Sequence, residues 1–206
     1  KEATLFYEDF MQTDENGYLK SYPSDSPENC ADGDFKGAKA VNVCINATMD
    51  FATLKALLTD LLEAEKELGV TDEKDEVWRD MLKRIPPYRI NGDGAMAEWL
   101  HDDFKDNYAH RHLSHLFPLF PGREITEKDE RLFAACKKAI DLRRSLGLKE
   151  QTGWSFAHLA NLYASAGEGE KAEECLKLLI RFCVGENLFT YHNDYLNQGV
   201  TLKFLW

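Results

Sequence analysis

The chain has 206 residues, of which 44% are hydrophobic and 12% aromatic, enough apolar material for a sizeable core and too much for a disordered segment. Its 25 basic residues stand against 36 acidic ones, a formal net charge of -11 that argues against a surface built for phosphates, so nucleic acid is not expected as a partner. No stretch approaches the ~20 consecutive apolar residues that span a bilayer, and no membrane partner is expected. Taken in chain order, the pattern is helical. Ala3, Leu5, Phe6 and Phe10 mark a first helix that starts at the very first residues. From Thr48 to Gly69, Phe51, Leu54, Leu58, Leu61 and Leu68 recur at three- and four-residue steps, with Thr48 as expected N-cap and Gly69 as the stop. A third helix is expected from about Thr71 to Ile85, with Trp78, Met81, Leu82 and Ile85 on one face and Pro86-Pro87 ending it. A fourth runs from Thr126, with Asp129 completing a variant capping box, to Gly147. The last two form a hairpin, Trp154 to Ala166 and Glu170 to Val184, turning at Gly167-Glu168-Gly169. Strand signals are confined to Tyr88-Arg89-Ile90 before Asn91-Gly92-Asp93-Gly94, and to Phe189-Thr190-Tyr191-His192.

The expected fold is therefore all-α, about six helices joined by long loops. Residues 12 to 45, 86 to 111 and 185 to 206 are too long and too rich in aromatic and polar groups for plain connectors, which marks them as carriers of function. The C-terminal hairpin is like one tetratricopeptide unit, but no second copy follows at the ~34-residue period that a peptide-binding solenoid needs. Five cysteines (Cys30, Cys44, Cys136, Cys175 and Cys183) lack any C-x-x-C pair, and the last three fall on apolar helix faces as small hydrophobes. Free thiols fit a reducing cytoplasm better than an oxidising compartment.

Three loop segments carry the chemistry. Tyr22-Pro23-Ser24-Asp25-Ser26-Pro27-Glu28-Asn29 places a carboxylate in a loop stiffened by two prolines, and a positioned carboxyl is what a general acid requires. Taken alone, the same segment reads as a solvated turn. Asp93-Gly94-Ala95-Met96-Ala97-Glu98-Trp99-Leu100 puts a second carboxylate beside an indole, a pairing suited to a sugar, with Trp99 as the stacking wall. Equally, Trp99 could cap the core. His110-Arg111-His112-Leu113-Ser114-His115 has H-x-H-x-x-H spacing, but no acidic or thiol ligand lies nearby and Arg111 would oppose a dication, so no metal is expected. Arg111 and His112 fit better as donors to substrate hydroxyls, and His115 as a core or supporting histidine. Asn46-Ala47-Thr48 matches a glycosylation sequon, with the helix cap as the preferred reading, and His192-Asn193-Asp194 is either a cleft lining or a turn.

In order along the chain, Pro23-Ser24-x-Ser26-Pro27-Glu28-Asn29, Thr48-Met49-Asp50, Pro86-Pro87-Tyr88-Arg89-Ile90 with Asp93-Gly94, Glu98-Trp99-Leu100, His110-Arg111-His112-Leu113-Ser114-His115-Leu116 with Pro121-Gly122-Arg123, and Thr152-Gly153-Trp154-Ser155 resemble the catalytic domain of glycoside hydrolase family 95, the inverting α-L-fucosidases. The resemblance implies an (α/α)6 barrel with its cleft built by long inter-helix loops, no cofactor, and a fucosylated oligosaccharide or glycan as partner. It implies Glu28 as general acid, Glu98 as second choice, and Arg111 and His112 as sugar ligands. The family's water-holding N-x-N segment and its Q-I-D-x-N-F-G segment with a catalytic aspartate do not occur in this sequence. Residues 1–206 are thus expected to be the middle-to-late part of such a barrel, inactive alone and completed by the rest of its own catalytic domain. The abrupt start at Lys1 and the apolar end at Leu202, Phe204, Leu205 and Trp206 fit that reading. An extracellular or periplasmic location follows from the resemblance and a cytoplasmic one from the thiols, which leaves the compartment open. The alternatives are an α-L-galactosidase of the same family, since L-fucose is 6-deoxy-L-galactose, and a non-catalytic helical module that binds carbohydrate or peptide.

Overall fold

The computed structural model describes residues 1–32, 43–146 and 151–190. Helix α1 (Glu2–Phe10) is followed by a minimal antiparallel hairpin, β1 (Gln12–Thr13) against β2 (Leu19–Lys20), inside the segment expected to be a long loop. Then come α2 (Thr48–Leu68), α3 (Asp75–Arg84), α4 (Glu130–Leu146), α5 (Gly153–Ser165) and α6 (Gly169–Phe182), with one 3-10 turn at Ser114–Leu116. The all-α expectation holds among the described residues, and none of their helices is long and apolar enough to cross a membrane.

The helix ends show where side chains overrode simple propensity. Gly69 closes α2 in the left-handed region at φ 65, as its lack of a Cβ allows. Thr48 does not cap that helix. It is the first helical residue, and its hydroxyl donates to the Ala97 carbonyl at 2.7 Å, tying the helix start to the loop below it. Helix α3 begins four residues later than expected because the Asp72 carboxylate accepts the Lys74 amide at 2.9 Å, a local turn that competes with the helix. Asp129, rather than Thr126, caps α4 by accepting the Leu132 amide at 3.0 Å. Thr152 and Ser155 cap α5 reciprocally. The Gly147 stop and the segments Tyr191-His192, His192-Asn193-Asp194 and Leu202–Trp206 lie outside the described residues.

Two apolar cores result. One joins Phe51, Leu54 and Leu58 of α2 to Trp78 and Met81 of α3, with Leu19 beneath. The larger one packs α4, α5 and α6 through Ala139, Ile140, Phe156, Leu159, Cys175 and Leu178, and extends to Met96, Leu113 and Leu116 of the loops. Cys136, Cys175 and Cys183 are buried in it as free thiols, as their positions predicted. Between the cores, loops are stitched by single backbone bridges, Ser24 with Cys44, Ala47 with Trp99 and Asp32 with Lys105. The chemistry-bearing loops are thereby tied to one another through their backbones.

Candidate functional site

The Pro-Ser-x-Ser-Pro-Glu loop is held from both sides. Asp50, in the first turn of α2, accepts hydrogen bonds from the hydroxyls of Ser21 and, at 2.8 Å, Ser24. The Asn29 amide donates to the Ser26 carbonyl at 2.9 Å, closing a four-residue turn with Pro27 in second place and Glu28 in third at φ 57. Proline suits the second position of such a turn, but the positive φ of the third favours glycine or asparagine. A glutamate there is a strained choice that throws its side chain outward.

That side chain is 62% exposed and meets two residues from more than eighty positions away. Arg111 Nη2 donates to Glu28 Oε2, and His112 Nε2 lies 2.9 Å from the same oxygen. The three residues singled out from separate motifs thus form one cluster at the surface. The His112 hydrogen bond, followed by the Arg111 charge, holds the Glu28 carboxyl below its ordinary range.

Glu98 occupies the opposite environment. It is fully buried, with Oε1 accepting from Ser26 Oγ at 2.6 Å and Oε2 accepting from Asn29 Nδ2 and Arg143 Nη2, each at 2.7 Å. Burial alone would raise its carboxyl, but the Arg143 charge and the hydrogen bonds from Ser26 and Arg143 outweigh it and hold the group ionised. Its backbone amide is fixed by Asp106 Oδ1 at 2.7 Å. With no exposed atom, this carboxylate anchors loops from below.

Trp99 corrects an expectation. Only 1% exposed, it fills a small core with Ala31, Cys44 and Ala47 and meets the Phe104 ring edge-on at 6.3 Å, so it has no free face for a sugar to stack on. The bridge between Ala47 and Trp99 turns the indole inward, a long-range pairing invisible in the local sequence. Among the described residues, Trp154 at the start of α5 is the solvent-facing indole, 59% exposed and stacked on His158 at 5.5 Å.

His115 is buried 3.8 Å from Glu98, and burial pushes its imidazole down to about 4. It is neutral at pH 7, as a supporting histidine should be. Arg143, which sequence reasoning passed over, is the main structural addition. It is 1% exposed, and its second nitrogen, Nη1, donates to the His112 carbonyl at 2.6 Å. Its only local signal was a cation in the last turns of α4, on the side facing the core.

A pH dependence follows from His115. Its folded value lies below the ordinary value of 6.5, so between those two points the unfolded chain binds a proton that the folded one refuses, and stability falls as pH drops from about 6.5 to about 4. A shift of this size is worth up to about 3 kcal/mol. Burial lowers His110 and His158 in the same way, so His115→Gln should make that part of the stability profile less steep without flattening it, read as urea midpoints across the same range; an unchanged slope would contradict the assignment.

Residues 1–200 match the family described as the glycosyl hydrolase family 95 catalytic domain, and the chain therefore belongs to that family, whose catalytic domain is an α/α barrel. Over 174 residues, 82% of this chain, it is 36% identical to a protein of Arabidopsis thaliana named alpha-L-fucosidase 2. The chain spans about a fifth of that relative's length.

Proposed function

We infer that this chain carries the proton-donating side of an inverting glycoside hydrolase that removes terminal α-L-fucose from glycans, with Glu28 as general acid and Arg111 and His112 as sugar ligands. The observation that carries the reading is the meeting of Glu28, Arg111 and His112 at an exposed point held up by buried anchors. Family membership supplies the reaction class and the Arabidopsis relative the sugar. Residues 1–206 are then one part of an (α/α)6 catalytic domain. The second group, which activates water on the far face of the sugar about 6.5–9.5 Å from the acid, belongs to other parts of the protein.

Glu28 rather than Glu98 is assigned the proton because a general acid must reach the leaving oxygen. Glu98 is walled in and committed to Arg143. Without substrate Glu28 is held as the carboxylate, so protonation has to accompany binding. Sugar hydroxyls that take over the donors of Arg111 and His112 remove the two interactions that depress the carboxyl, and exclusion of water by the sugar raises it further. Arg111 and His112 then serve twice, orienting the sugar and releasing the acid.

The full-length protein should hydrolyse α-L-fucosides and prefer them to α-L-galactosides, while residues 1–206 alone should show no turnover. Robust hydrolysis by the isolated chain, or a preference for the galactoside, would overturn the corresponding part of the reading. A second expectation concerns pH. Because a proton must be taken up by Glu28 on the way from free enzyme to transition state, kcat/KM declines as pH rises through the free-enzyme Glu28 value; His112→Ala removes the main interaction that lowers this value. The alkaline limb should move to higher pH even as the absolute rate falls. A limb that stays put or moves to lower pH would separate His112 from the acid.

A further inference from the structure

We propose that Arg143 and Glu98 form a buried clamp that positions the acid for hydrolysis, acting through Ser26, Asn29 and the His112 carbonyl rather than touching substrate. The inference rests on the reading of Glu28 as the acid and adds two residues to the machinery behind it.

Ser26 and Asn29 bracket Pro27-Glu28, and each is tied to a different oxygen of Glu98, at 2.6 and 2.7 Å. Arg143 holds Glu98 Oε2 with one nitrogen and the His112 carbonyl with the other, at 2.7 and 2.6 Å. The loop carrying the acid and the segment carrying its two partners thus hang on one guanidinium-carboxylate pair. Ser26 Oγ also lies 2.9 Å from Ser114 Oγ, a second tie between the same two segments. A buried ion pair gains little over an apolar pair of equal volume, because desolvation offsets the attraction. The pair does supply fixed directions, and three hydrogen-bonding groups from two loops, Ser26 Oγ, Asn29 Nδ2 and the His112 carbonyl, use them. Displacing a reacting group by about 1 Å can cost roughly 100-fold in rate. The clamp's contribution is therefore expected in the acid-dependent step rather than in sugar affinity.

Two variants of the full-length protein test this. Arg143→Lys keeps the charge but cannot serve Glu98 and the His112 carbonyl with the same fork, and Ser26→Ala cuts the ties to Glu98 and Ser114 without stranding a buried charge. Each is assayed on a fucosylated oligosaccharide, whose leaving group needs a proton, and on 2-chloro-4-nitrophenyl α-L-fucoside, whose leaving group needs little help, with the folded fraction fixed by circular dichroism. Positioning predicts a fall in kcat on the oligosaccharide of about 10- to 100-fold with KM within about twofold, and a loss under about threefold on the aryl fucoside. In a Glu28→Gln background, neither change should lower the oligosaccharide rate further. Equal losses on both substrates, full additivity with Glu28→Gln, or no loss in either variant would overturn the clamp. If Glu28→Gln alone leaves oligosaccharide hydrolysis intact, the assignment of the acid fails instead, and the two failures are thereby told apart.

Discussion

Arg143→Leu should lower the unfolding free energy by about 3–5 kcal/mol, the largest stability loss expected of any single substitution near the site. The substitution removes the guanidinium paired with a carboxylate that has no solvent exposure, and it also strips the His112 carbonyl of its 2.6 Å donor. Glu98 must then take up a proton or admit water, and either response disturbs Ser26 and Asn29. Replacing both members, Arg143→Leu with Glu98→Leu, should recover part of that loss, because no buried charge is left over. Recovery will be incomplete, since the polar groups that faced the pair lose their partners. Denaturant unfolding of the two single variants and the double variant measures the coupling. A double variant as unstable as the sum of the singles would show that the two side chains do not act as a pair.

Glu28→Gln should reduce kcat on oligosaccharides by about 100- to 10,000-fold, the range that a positioned general acid contributes. Glutamine fits the same space and can accept from Arg111, so the fold and the sugar contacts persist while the proton is lost. The unfolding midpoint should move little, because the carboxylate is largely exposed and its ion pair is screened by water. This combination of a large rate loss with an unchanged midpoint separates Glu28 from Glu98. The corresponding Glu98→Gln variant leaves Arg143 uncompensated in the interior and should be visibly less stable.

The helices were legible because their cause is local. The three- and four-residue spacing of Phe51, Leu54 and Leu58 is the face that packs on Trp78 and Met81, and Gly69 and Gly167 mark turns that need a positive φ. The Glu28 loop was legible for a related reason, since two prolines and flanking hydroxyls announce a fixed turn. Arg143 was not, because its meaning depends on a carboxylate 45 residues away and on a carbonyl from a third segment. Trp99 failed as a sugar platform for the complementary reason. An indole beside a carboxylate reads the same whether it faces a ligand or a core, and here the pairing with Ala47 decided in favour of the core. Thr48 was misassigned because its hydroxyl found a carbonyl 49 residues away, and the start of α4 because Asp129 outcompeted Thr126 for the helix end, a purely local contest.

Glu28, lifted on a strained turn and gripped by Arg111 and His112, is the proposed proton donor. The most direct test of that role is the dependence of kcat/KM on leaving-group pKa across a series of aryl α-L-fucosides, compared between the wild-type full-length protein and Glu28→Gln. The wild type should show a shallow slope, because the leaving oxygen is protonated as it departs, and Glu28→Gln should show a steep one that converges with the wild type for the best leaving groups. A Glu28→Gln slope as shallow as that of the wild type would contradict the assignment, as would a steeper slope in Glu98→Gln than in Glu28→Gln.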